Sequence, residues 1–136
     1  MAQTRRRTGQ GPRVLLVEDD EMIRALAREV LERTGFEVDE AADGTTGIRM
    51  LEDLNRSYAV ILSDLGLLGV RGEQVVARAA KLRPGVPIVV CTGEPIEDQM
   101  PAGLTLLRKP FLPKDLAALM RRLAGGSAPE ESQVIG

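Results

Sequence analysis

Short apolar runs alternate along this chain with stretches whose apolar residues recur at helical spacing. "RVLLV" (13–17), "YAVILS" (58–63), "VPIVVC" (86–91) and "LTLLR" (104–108) are continuous apolar runs of strand length. "FEVDEA" (36–41) alternates at period two, as a strand with one covered face does. Between them, "DEMIRALAREVLERTG" (20–35) carries Ile23, Leu26, Ala27, Val30 and Leu31 on one helical stripe, opens on acids and stops at Gly35. "GTTGIRMLEDL" (44–54), "EQVVARAAKLR" (73–83) and "PKDLAALMRRLA" (113–124) read as further helices; the last has Pro113 near its start and arginines in its final turn. Alternating strands and helices predict an α/β fold, a doubly wound parallel sheet with helices on both faces. Runs apolar at successive positions fit strands buried on both sides. The count is five strands and four clear helices. The segment "TGEPIEDQMPAG" (92–103) has room for only a turn or two of helix, so a fourth helix of the (βα)5 pattern is expected to be shortened.

The ends read differently. Residues 1–12, "MAQTRRRTGQGP", are predicted to form a flexible basic tail, and 125–136, "GGSAPEESQVIG", a second loose end, leaving 13–124 as one domain. At 136 residues the chain suits a single domain. Its net charge of −2 sets up no strong field toward nucleic acid or membrane. No apolar run approaches the roughly 20 residues that span a bilayer. The lone Cys91 cannot form an internal disulfide and fits a reducing, cytoplasmic setting. The chain contains no histidine, which removes Ser–His–Asp and Cys–His catalysis and most zinc sites. Aromatics are confined to Phe36, Tyr58 and Phe111, too few for a base-stacking surface.

Ligands of open parallel sheets bind beyond the carboxyl ends of the strands. The residues that follow each run are therefore the candidates: Glu18, Asp19 and Asp20 after the first; Asp64, Leu65 and Gly66 after the third; Thr92, Gly93 and Glu94 after the fourth; Lys109 and Pro110 after the fifth. Clustered acids repel. At an effective dielectric near 20, two unit charges 4 Å apart cost about 4 kcal/mol. A hard divalent cation relieves that repulsion, and Mg²⁺ takes one or two carboxylates together with waters and phosphate oxygens. Carboxylate, metal, lysine and hydroxyl together suit formation of an aspartyl-phosphate.

In "VLLVEDDEMIR", "ILSDLGLLGVRG", "VVCTGE" and "LLRKPF" the chain resembles the receiver (REC) domain of the two-component response regulator family over residues 13–124. The resemblance implies a flavodoxin-like five-stranded sheet. It also implies Asp64 as phospho-acceptor, Asp19 as direct Mg²⁺ ligand, Glu18 acting through a metal-bound water, and the Gly66 backbone carbonyl as a further ligand. Lys109 would contact the acceptor carboxylate and then the phosphoryl group, and Thr92 would swing toward a phosphoryl oxygen. Gly93 would leave room for phosphoryl entry, and Glu94 would tune hydrolysis. The implied partners are a sensor histidine kinase or histidine phosphotransfer protein as donor and a downstream protein on the face of the fourth helix, fifth strand and last helix. A phosphorylation-dependent homodimer is also implied, with no direct nucleic-acid or membrane contact. Two positions depart from the family pattern: Leu68 stands four residues after the acceptor where a proline is common, and Leu106 stands at the switch aromatic. The short segment before "LLRKPF" resembles receivers of hybrid sensor histidine kinases and some stand-alone receivers. Two rivals remain in view, a non-phosphorylated pseudo-receiver scaffold and a haloacid-dehalogenase-like Mg²⁺ phosphatase. The second would place another acid where Gly66 stands.

Overall fold

The computed structural model describes residues 11–67, 69–93 and 103–124, and the backbone of 133–135. Six parallel strands form one sheet. They are β1 (Arg13–Val17), β2 (Glu37–Ala41), β3 (Val60–Asp64), β4 (Ile88–Thr92), β5 (Leu104–Arg108) and β6 (Gln133–Ile135), in the order β2-β1-β3-β4-β5-β6. The described helices are α1 (Glu21–Arg33), α2 (Gly44–Glu52), α3 (Gly72–Leu82) and α4 (Pro113–Ala124). All five expected strands and four expected helices are present, within two residues of their predicted bounds. The expected shortened helix between β4 and β5 lies at residues outside those described, as do Leu68 and Glu94.

Each central strand divides its side chains between two cores, because successive residues of a strand face opposite ways. Val14, Leu16, Val60, Leu62, Val89, Cys91 and Leu107 meet α1 and α4 through Ala27, Val30, Leu31, Leu116, Leu119, Met120 and Leu123. Leu15, Val17, Ile61, Ile88, Val90 and Leu104 meet α2 and α3 through Leu51, Val75, Val76 and Ala79. Full burial of each Val, Leu or Ile contributes about 1.5–3 kcal/mol. These layers fix strand register, and register aligns the strand ends: Val17 pairs with Ser63, and Asp64 with Cys91.

The helix starts follow local chemistry. Asp20 caps α1 by accepting from the Ile23 amide at 3.0 Å, and Asp43 caps α2 by accepting from the Thr46 amide at 2.7 Å. Helix α1 ends just before Gly35, whose φ of +106° suits a glycine.

Backbone pairings reach beyond residues 13–124 at both ends. Gly11 and Pro12, assigned to the tail, are tied to β2: the Glu37 amide donates to Pro12 O at 2.8 Å, and the Gly11 amide donates to Glu37 Oε2 at 3.4 Å. Within the expected loose end, residues 133–135 pair with β5 at Thr105↔Gln133, Leu106↔Val134 and Leu107↔Ile135. The β5 edge offers backbone groups for pairing, and a short stretch with two β-branched residues, "QVI", satisfies them.

A polar hub braces the other flank of the sheet. Asp39 of β2 accepts from Arg13 Nη1, Arg56 Nη1 and the Tyr58 hydroxyl, each at 2.8 Å. Burial pushes the Asp39 carboxyl up, but its hydrogen bonds to Tyr58, Arg56 and Arg13 outweigh that and hold it below the ordinary value of 3.8. Burial and the Asp39 contact raise the Tyr58 phenol. Arg83 stacks 5.1 Å from the Tyr58 ring centroid and donates to the carbonyls of Leu51 and Asp53.

Candidate functional site

At the carboxyl rim of the sheet, β1 delivers Glu18 and Asp19, β3 ends on Asp64, and β5 leads into Lys109. Oxygens of Glu18, Asp19 and Asp64 lie within 4.8 Å of one another. Lys109 Nζ stands between two of these acids, 3.0 Å from Glu18 Oε1 and 3.1 Å from Asp64 Oδ1. Glu18 and Asp64 are buried, and Asp19 is partly exposed.

The sequence holds each group in place. The Glu18 amide donates to Ala41 O at 3.0 Å, its carbonyl accepts from Arg24 Nη1 at 2.9 Å, and its Oε2 accepts from the Asp20 amide at 3.1 Å. One acidic run thus supplies a rim carboxylate and a helix cap together. Asp64 is fixed by its ladder position beside Cys91, and the next amide, Leu65 N, donates to Cys91 O at 3.2 Å. Lys109 is placed by its own amide, which donates to Thr92 O at 2.9 Å, and the Lys109–Pro110 peptide is cis. Thr92 closes β4 and is buried; Gly93 follows it, and a Cβ there would lie 3.8 Å from Lys109 Cβ. Gly66 leaves space beside Asp64, since a Cβ on it would sit 3.7 and 3.9 Å from the two Asp64 carboxylate oxygens.

The charges do not balance. Burial raises the Glu18 carboxyl above its ordinary value, and nearby Asp64 pushes it further, against the hydrogen bonds from Lys109 and the Asp20 amide. Burial works against the Lys109 ammonium, but its bond to Glu18 and the field of Asp64 raise it above the ordinary value. The ammonium therefore stays charged at neutral pH, one cation among three acids. Cys91, beside Asp64 in register, is pushed up to about 12, chiefly by burial, and is a packing thiol at neutral pH.

The structure thus brings Glu18, Asp19, Asp64 and Lys109 together, with Gly66, Thr92 and Gly93 along the same rim. Leu106 packs half-buried against the core on the α2–α3 side. Three contributors escaped sequence reasoning. A Cβ on Gly72 would meet Asp64 O and Leu65 Cα at 2.4 Å, and one on Gly44 would meet Val70 O at 2.5 Å. The Ser63 hydroxyl donates to Asp64 O at 3.1 Å. A glycine at the first position of two helices was the available signal.

A sheet of this order with an acid cluster and a lysine at its rim defines a class, and sequence comparison gives that class its family. A sequence model described as "Response regulator receiver domain" matches residues 14–123, and the chain belongs to that family. Among solved structures it is similar to the receiver domain of the hybrid histidine kinase CckA (28% identity, 82% of this chain and 98% of that one, TM-score 0.72). It is also similar to the chemotaxis response regulator CheY4 of Vibrio cholerae (26%, 83% and 98%, TM-score 0.73). Relatives include the transcriptional regulatory protein PrrA of Mycobacterium tuberculosis, 33% identical over 91% of this chain and 56% of that protein. Another is the uncharacterized transcriptional regulatory protein YbdJ of Bacillus subtilis, 30% identical over 84% of this chain and 51% of that protein. The chain spans about half the length of these two relatives. No described helix is long and apolar enough to cross a membrane.

Proposed function

We propose that this receiver domain accepts a phosphoryl group on Asp64 from a phosphohistidine carried by a sensor histidine kinase or a histidine phosphotransfer protein. The observation that carries the reading is the Lys109 ammonium held between Glu18 and Asp64, with Asp19 completing an acid cluster its single charge cannot neutralise. An Asp64 oxygen attacks phosphorus, the P–N bond breaks, and the imidazole leaves with the bonding pair and takes up a proton. Lys109 orients the attacking carboxylate and then neutralises the phosphoryl group; Thr92 offers it a hydroxyl, and Gly93 leaves room for its entry.

The donor set fits Mg²⁺: hard carboxylate oxygens clustered at one point, with space beside Asp64 where Gly66 lacks a side chain. Glu18, Asp19, Asp64 and the Gly66 carbonyl would hold it. The ion, when bound, neutralises charge on the transferring phosphoryl oxygens. The donor's landing surface is an apolar groove of about 300 Å³ lined by Ile23, Leu26, Lys109, Pro110 and Phe111, with Met22 and Leu112 exposed on the same two segments. Because Lys109 lines both groove and site, a partner's helix seated there brings its phosphohistidine to Asp64.

The output passes to a protein partner, or to a second phosphorylated copy, over the expected face of the fourth helix, β5 and α4, of which β5 and α4 lie among the described residues and β6 pairs along the β5 edge. The longer relatives are named transcriptional regulators, so the expectation of no nucleic-acid contact is carried forward for the residues of this chain alone. Treatment with a small acyl phosphate and Mg²⁺, read by intact mass, tests the reading. The expected result is one added phosphoryl group, lost in Asp64→Asn and on chelation of Mg²⁺. Rapid turnover of many phosphate esters would instead favour the phosphatase, and absence of label the scaffold.

A further inference from the structure

The peptide joining Asp64 to Leu65 is gripped from three sides. Its amide, Leu65 N, donates to Cys91 O of β4 at 3.2 Å. Its carbonyl, Asp64 O, accepts from the Ser63 hydroxyl at 3.1 Å. Against the same peptide rests the first residue of α3, so closely that a Cβ on Gly72 would lie 2.4 Å from both Asp64 O and Leu65 Cα, and 3.0 Å from Leu65 C. These are backbone atoms, and no flexible side chain can swing aside. Further along the same loop, Gly44 seats the first turn of α2 on Val70, where a Cβ would lie 2.5 Å from the carbonyl oxygen and 3.0 Å from Val70 Cβ.

We infer that Gly72 and Ser63 are positioning residues for the acceptor: together with Cys91 O they fix the Asp64–Leu65 peptide. Through it they set where the Asp64 carboxylate and the neighbouring Gly66 carbonyl point. The inference rests on the phospho-acceptor reading of Asp64. It goes beyond that reading because neither residue touches the phosphoryl group or the metal. Gly72 acts by absence: any side chain on it would displace the peptide or lift α3 from the sheet. Ser63 acts by a single hydrogen bond to the carbonyl that Gly72 abuts.

The test compares Gly72→Ala and Ser63→Ala with Val76→Ala. Val76 is a fully buried α3 core residue of the α2–α3 side, and its truncation lowers stability by leaving a cavity. Three quantities are read on the intact chain: melting temperature, the Mg²⁺ titration midpoint, and hydrogen exchange of the Leu65 amide without metal. Gly72→Ala is expected to weaken Mg²⁺ binding about tenfold and to speed Leu65 exchange beyond what its melting temperature accounts for. Ser63→Ala, which adds no atoms and tests the grip even should Gly72→Ala fail to fold, is expected to weaken Mg²⁺ binding about threefold. Val76→Ala is expected to lower the melting temperature and leave the midpoint unchanged. Wild-type midpoint and wild-type Leu65 exchange in Ser63→Ala would overturn the inference, as would the same result in a folded Gly72→Ala. If the wild-type chain takes up no Mg²⁺, it is the functional reading that falls, while the metal-free Leu65 exchange still decides the positioning role.

Discussion

At the rim, Glu18, Asp19 and Asp64 share one ammonium; on the flank beside β2, Asp39 accepts from two guanidiniums and a phenol, and the same guanidiniums also pair with Glu37 and Asp53. Both clusters are built from carboxylates on the same sheet, and their environments shift them in opposite directions. Burial at Asp39 is outweighed by hydrogen bonds, which hold the carboxyl below its ordinary value, while burial, joined by repulsion from Asp64, holds Glu18 above its own. The first arrangement gives each of its acids a guanidinium and ties β1, β2 and the entry to β3 together. The second has one cation for three acids, so a ligand that brings positive charge would be drawn there. A carboxylate cluster is read as a brace or as a site by counting the cations already facing it.

Substitution gives the sharpest test of that contrast. Asp39→Asn takes the shared charge away from Arg13, Arg56 and Tyr58, and is expected to destabilise the fold by about 1–3 kcal/mol with or without Mg²⁺, read by chemical denaturation. At the rim the sign reverses. Asp19→Asn removes one of three repelling acids without touching the Lys109 contacts, and in metal-free solution should raise stability by about 0.5–1 kcal/mol. The gain should vanish when Mg²⁺ is added, since the substitution also removes a proposed ligand. A loss of melting temperature for Asp19→Asn without metal would break the comparison.

The smallest effect is in pH. The folded Asp39 carboxyl titrates below its ordinary 3.8, so its contribution is fully present above about pH 4–5 and is lost as pH falls through the folded value. Wild type should therefore show an acid limb of falling stability that is shallower in Asp39→Asn. Identical acid limbs would mean that the flank cluster contributes no charge-dependent stability.

The rim was legible in the sequence because each of its members follows an apolar run, and a parallel sheet brings such ends together. The brace was not. Arg13, Asp39 and the Arg56/Tyr58 pair lie on three separate segments, and Asp39, one of three acids within "FEVDEA", looks like one more outward-facing polar position. The glycine contacts were hidden for a different reason. Gly72 and Gly44 look like ordinary helix starts until packing shows what stands against them. The sixth strand escaped because two apolar residues after a Gly- and Pro-containing stretch carry no periodicity, and the open edge of β5 gives them a partner.

The ladder that aligns Asp64 with Cys91 and Thr92 with Arg108 has a consequence for how the gene can change. Side chains alternate faces along a strand, so a codon gained or lost within Ile88–Thr92 would turn every later side chain of that strand to the other face. The Thr92 hydroxyl would then leave the rim even though Asp64, Thr92 and Lys109 were themselves unaltered. Indels in these five-residue strands should therefore disrupt the rim, and length variation among descendants of this chain should collect in the connecting loops.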